Sequence, residues 1–224
     1  GACGNLSGYQ MRLTVYRGYG DGNVSDEFDV YLNNHCDENF SDIRFMRDGG
    51  VQWLDYWIED YASGENATVW VDLDHISPGA TGLRIFYSNP NASSESDGEK
   101  TWDFFDDFPG DAVNSSKWDE VGSPGGTVAD GELTISKTEM SSGVAHGYKT
   151  TTSFDDCRMV ARGKTGYSQT AASAILISQY NAINCLNKVE FRNANDLWLR
   201  TDLRGCGGSY TNNVINYDFA LNTY

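Results

Sequence analysis

Short stretches of alternating apolar and polar residues run the length of this chain, each stopped by Gly, Asn, Asp, Ser or Pro, and no long segment repeats apolar residues at helical spacing. Such a pattern buries one face of a strand at period two. The first half reads as strands at Tyr9 to Arg17, Asp26 to Leu32, Asp42 to Met46, Val51 to Tyr61, Ala67 to Leu73 and Leu83 to Tyr87. Phe28, Val30 and Leu32 alternate so as to share a buried face, and so do Val69, Val71 and Leu73. The polar stretch Asn89 to Lys100, NPNASSESDGEK, reads as a linker. Beyond it strands are expected at Trp102 to Phe108, Glu132 to Ser136, Gly147 to Phe154, Arg158 to Gly163, Ala174 to Ser178 and Val214 to Phe219, with a hairpin of Lys188 to Arg192 and Leu197 to Thr201. The predicted fold class is all-β: two β-sandwich, jelly-roll-like domains in tandem, residues 1–100 and 101–224. At 224 residues the chain is long enough for two such cores.

The formal charge of −16 and a pI near 4.3 argue against nucleic acid, because phosphate binding needs Lys and Arg to displace condensed counterions. An anionic bilayer would repel the chain too. No apolar run approaches the roughly 18 residues that span a membrane, so no direct membrane insertion is expected. Gly1 onward does not read as a basic and then apolar signal segment, so the chain is expected to be a processed product, any membrane attachment lying outside it.

Asn-x-Ser/Thr acceptors begin at Asn5, Asn23, Asn39, Asn66, Asn91 and Asn114, and none follows. Their one-sidedness predicts a glycan coat over the first half of a secreted, cell-surface glycoprotein. The five cysteines show no metal-finger spacing, so in an oxidising compartment they are expected to pair. Cys185 and Cys206 flank the expected hairpin and are the best pair; Cys3 and Cys36 are the next, which leaves Cys157 as a free thiol or a bond to another chain.

No catalytic residue is expected. Glu95-Ser-Asp97-Gly-Glu99 matches the carboxylate spacing of some glycoside hydrolases, but its intervening Ser96 and Gly98 are not what a buried strand presents. His35, His75 and His146 are scattered without a nucleophile motif, and Gly18 to Gly22 lacks the Lys-Ser/Thr of a phosphate loop. Period-two geometry from Trp53 puts Trp53, Asp55, Trp57, Glu59 and Tyr61 on one face. Trp53, Trp57 and Tyr61 are therefore candidate carbohydrate-stacking residues, with core packing as the plainer alternative, and Trp70, Trp102, Trp118 and Trp198 share that ambiguity.

Ser41-Asp-Ile-Arg-Phe45, Tyr56-Trp-Ile-Glu59, Ala67-Thr-Val-Trp-Val71, Leu83-Arg-Ile-Phe-Tyr-Ser-Asn-Pro90 and Phe104-Phe-Asp-Asp-Phe108, in that order, resemble a domain of unknown function, DUF2341, of bacterial and archaeal extracellular proteins. The resemblance covers roughly residues 9 to 108. The segment Phe104 to Phe191, with Trp118 and the turn Asp130-Gly-Glu-Leu133, resembles the start of a concanavalin-A-like (laminin-G-like) jelly roll. That resemblance implies a structural Ca²⁺ near the first strand of the second domain, with Asp103, Asp106, Asp107 and Asp130 as ligands. Such a jelly roll continues for several strands after the region matching Val214 to Phe219, so the second domain is expected to be incomplete, either trimmed or completed by a neighbour's strand. The resulting expectation is a non-enzymatic structural or adhesion protein, self-associating into a filament or sheath or binding surface glycans. The alternative is a carbohydrate-binding module of a larger secreted glycan-active protein.

Overall fold

A computed structural model describes residues 6–20, 28–76, 82–135 and 147–154, and the backbone of four strands beyond them. In chain order these residues form β1 (Leu6–Tyr16), β2 (Asp29–Tyr31), β3 (Arg44–Arg47), β4 (Trp53–Leu54), β5 (Tyr56–Ala62), β6 (Asn66–Ile76) and β7 (Leu83–Phe86). A single helical turn, α1 (Gly98–Thr101), precedes β8 (Trp118–Val121), β9 (Gly126–Ala129), β10 (Glu132–Ile135) and β11 (Gly147–Thr150). The last four strands are β12 (Ala172–Ala182), β13 (Cys185–Asn193), β14 (Leu197–Arg204) and β15 (Tyr210–Ile215). The protein is nearly all β, as its sequence pattern requires. The chain divides into two compact units, Gly1–Thr151 and Thr152–Tyr224, so the division falls well after the residue-100 boundary that composition suggests.

Two sheets of the first unit share one core. The four-stranded sheet runs β2-β1-β6-β5 and the three-stranded sheet β4-β3-β7. The long β1/β6 ladder is antiparallel from Leu6↔Ile76 to Tyr16↔Asn66, while β2 joins β1 in parallel. Leu13, Val15, Ala67, Val69, Val71, Leu73 and Tyr56 from one sheet meet Phe45 of the other, with Leu32, Cys36, Phe40 and Ile43 from the intervening loop. Val69, Val71 and Leu73 are buried as alternation predicts. Of the other trio, Leu32 is buried and Val30 packs against the core, but Phe28 is exposed.

Three local expectations are corrected. The run Val51 to Tyr61 is not one strand: β4 pairs with β3 in one sheet and β5 with β6 in the other, the chain crossing between them at Asp55. Trp102 to Phe108 is not a strand; Trp102 caps α1 and the segment turns back over the outer face of the four-stranded sheet. Nor is the polar stretch Asn89 to Lys100 a linker. It straps edge strand β5: the Ser96 hydroxyl accepts from Ile58 N (2.8 Å), Asp97 N donates to the Tyr56 carbonyl (2.8 Å), and Arg44 donates to Ser93 O (2.7 Å). An edge strand needs such cover, and polar residues supply it without apolar bulk.

The rest of the unit is built from short ladders. β9 and β10 form a tight hairpin through Asp130-Gly131, both with positive φ (52° and 75°), the conformation two-residue hairpins demand. β8 pairs with β11. The second unit is an antiparallel meander, β12-β13-β14-β15, in which Asn193↔Leu197 to Asn187↔Leu203 realises the expected hairpin with longer arms. Arg158 to Gly163 lies outside the described residues.

Candidate functional site

Of the six sequon asparagines, Asn39, Asn91 and Asn114 are exposed on turns of the first unit. The side-chain carbonyl of Asn39 accepts from Ser41 N (3.2 Å), and that of Asn114 from both Ser116 N (3.0 Å) and the Ser116 hydroxyl (2.7 Å). These Asx turns form wherever a short amide can reach the amide two residues on. Asn66 differs: it opens β6, paired with Tyr16 on one side and Ala62 on the other, and is half-buried. Asn5 and Asn23 lie outside the described residues.

The aromatic face drawn from Trp53, Trp57 and Tyr61 does not exist, for two reasons. The sheet switch at Asp55 places Trp53 in the three-stranded sheet. A bulge between Ile58 and Asp60 then reverses the later alternation, so Tyr61 lies opposite the buried Ala67 and meets Phe40 edge-on. Trp57 lies opposite Trp70 on the outer face of the four-stranded sheet. There Phe105 covers Trp57 (ring centroids 4.7 Å) and Trp102 covers Trp70 (5.0 Å). Trp118 is likewise packed, between Phe104 and Phe108. Trp198 lies on β14, whose backbone alone is described. Trp53 remains exposed, and Phe86 crosses to meet it at 5.1 Å and 89°. Phe86 was legible as the outward position of Leu83-Arg-Ile-Phe86, whose Leu83 and Ile85 pack on the core.

Of the four expected Ca²⁺ ligands, Asp106 has structural partners. One Asp106 oxygen accepts from Trp118 Nε1 (2.6 Å) and the other from Phe108 N (2.8 Å), while Asp103, Asp107 and Asp130 are exposed. Among the described residues no group of three or more His, Cys, Asp or Glu is arranged to hold a metal ion. Glu95, Asp97 and Glu99 also have structural partners: Glu95 pairs with Arg44 (3.0 Å), Asp97 caps α1, and Glu99 pairs with Lys117.

Two ionisable groups stand out by environment. Asp72, on the outer face between Gln10 of β1 and Asp55, has one buried carboxylate oxygen with no partner among the described residues. Burial, then repulsion from Asp74, Asp103 and Asp55, pushes its pKa up to about 6. Cys36 is a buried free thiol in place of the expected half of a disulfide with Cys3, and burial, reinforced by Asp42, pushes its pKa up to about 11. Cys3, Cys157 and Cys206 lie outside the described residues, and Cys185 opens β13.

The part of the chain that carries the strap and the sheet switch is also the part that a family model matches. Residues 39–121 match the family model of a domain of unknown function, DUF2341. The matched segment begins at Asn39, crosses residue 100 without interruption and ends with β8, in keeping with a first unit that continues past the strap. An uncharacterized protein of Methanocaldococcus jannaschii is 25% identical over 134 residues, covering 51% of this chain and 24% of that protein. The chain thus spans about a quarter of the curated relative it matches. No solved structure matches. No helix among the described residues is long and apolar enough to cross a membrane.

Proposed function

We propose that this chain is a non-enzymatic structural or adhesion glycoprotein of the cell surface, whose first unit faces solvent under its glycans and whose second unit joins copies into a filament or sheath. The observation that carries this reading is a division of charge along the unit boundary. Residues 1–151 hold 9 Lys and Arg against 26 Asp and Glu, together with all six sequons; residues 152–224 hold 7 against 6 and no sequon. Like copies that approach through their first units meet strong repulsion and bulky sugars, whereas the second units approach nearly neutral.

The second unit also offers a means of joining. Among the described residues β12 and β15 each have one hydrogen-bonded neighbour, and neither contains a charged residue or proline, the devices that usually block an edge. Pairing the β15 edge of one copy with the β12 edge of the next gives a head-to-tail contact that propagates. In this reading the meander belongs to a concanavalin-like sandwich completed by neighbours. Native material examined by negative stain and intact-mass spectrometry tests it: polymers are expected, with sugar on Asn39, Asn91 and Asn114. Dispersed monomers at high concentration, or glycans dense on residues 152–224, would overturn it.

A further inference from the structure

The outer face of the three-stranded sheet carries a side-chain group that the self-association described above does not use. Trp53, Met46 and Arg84 lie in one row across β4, β3 and β7, since Met46 is register partner to both of the others. Directly opposed residues project to the same face, and the opposite face is accounted for by Phe45, Leu54 and Ile85, which pack on the core. Phe86, one position along on the same face, brings its ring perpendicular to Trp53 over the middle strand. The result is an aromatic corner with Trp53 54% and Phe86 41% exposed, next to a loop whose Val51 is 91% exposed. Beside it stands an ion pair, Arg84 with Asp48, whose side chains are both more than half exposed. With adjacent strands about 4.8 Å apart, the backbones at Trp53 and Arg84, two strands apart in one row, are separated by about 10 Å.

We infer that this corner binds an uncharged polysaccharide, one pyranose ring stacking on Trp53 against the Phe86 edge and the next offering its hydroxyls to Arg84 and Asp48. Single exposed apolar residues need no explanation, but here Trp53, Phe86 and Val51 are exposed together beside a polar pair, the arrangement on which a sugar ring can stack. An indole offers its flat face to the C–H side of a sugar, and a planar guanidinium and carboxylate match pairs of hydroxyls. Charge selects the occupant. A unit with 26 acidic against 9 basic residues repels anionic polysaccharides and a second copy of itself, whereas a neutral sugar meets no such barrier. The inference rests on the extracellular reading but not on self-association.

The test is affinity electrophoresis of the full chain through gels holding, one at a time, an α-glucan, a β-1,3-glucan, a galactomannan and the anionic polygalacturonate, with sedimentation of the same samples. At least one neutral gel is expected to retard the wild type. Trp53→Ala should weaken that binding at least about tenfold, the loss typical of truncating an aromatic anchor, while Trp53→Phe retains part of it. Tyr19→Ser, which alters an exposed aromatic outside this sheet, should bind as the wild type. Unchanged sedimentation of Trp53→Ala would separate sugar binding from assembly. Retardation by none of the neutral gels, retardation by polygalacturonate alone, or undiminished binding by Trp53→Ala would overturn the inference.

Discussion

Asp72 shows how a single residue can carry a conflict that the sequence hides. Its place on β6 follows from alternation, since Val71 and Leu73 point inward and Asp72 outward. What no spacing reveals is that the outward face is itself covered, by α1 and the residues after it, which bring Asp103 towards Asp72. The folded state raises the pKa above the ordinary carboxylate value of about 3.9, so between about pH 4 and 6 the folded protein holds more protons than the unfolded one. Stability therefore falls as pH rises through that window, and the cost of the ionised group is fully present above pH 6. Asp72→Asn, which keeps the shape and removes the charge, is expected to raise Tm at pH 7 by about 2–4 °C, equivalent to about 1 kcal/mol after allowing for solvent screening. The gain should vanish near pH 4, where calorimetry of both proteins would give coincident transitions. Cys36 supplies a second residue-scale prediction from the opposite chemistry. A thiol held neutral and buried should resist iodoacetamide at pH 8 in the folded protein and be carbamidomethylated once denaturant exposes it, read on the peptide that holds Cys36. Rapid labelling of Cys36 in the native state would contradict the packing around it.

Among the elements, those fixed by local chemistry were legible and those fixed by partners were not. The inward valines of β6, the turn at Asp130-Gly131 and the β13/β14 hairpin all follow from alternation and turn residues, which act within a few positions. The crossing at Asp55 and the bulge before Asp60 leave no such mark, because each is decided by which strand lies alongside, β3 or β6. The strap hides for a related reason: its Ser, Asp and Glu resemble a solvated linker, yet their partners are distant in sequence, Ile58 N donating to the Ser96 hydroxyl and Arg44 pairing with Glu95. Gly98 is the point at which this element can be tested. A Cβ there would stand 2.4 Å from the Phe105 ring, the ring that covers Trp57. Gly98→Ala should therefore displace Phe105 and cost about 1–3 kcal/mol, seen as a Tm several degrees lower together with a red shift in tryptophan emission. An unchanged Tm and spectrum would mean that the strap is not held by this contact.

At the scale of the whole molecule, the charge division predicts how assembly responds to salt, and the sign separates two kinds of contact. If uncharged strand edges join the copies while acidic first units repel, added salt screens the repulsion and leaves the joint untouched. The screening length falls from about 30 Å at 0.01 M to about 3 Å at 1 M. Assembly of the full chain is then expected to strengthen with ionic strength, read as a sedimentation profile shifting to larger species at constant protein concentration. If ion pairs between copies hold the polymer instead, the same titration dissolves it. A substitution at the edge completes the test. Asn213 lies within β15, paired with Thr201 on its inner side. Asn213→Lys adds a charge, a device by which natural edge strands avoid pairing. This variant should stay monomeric at salt concentrations where the wild type polymerises, while Asn213→Thr should assemble normally, because it keeps the neutrality of the edge. Polymerisation of Asn213→Lys at wild-type concentration would move the joint away from β15.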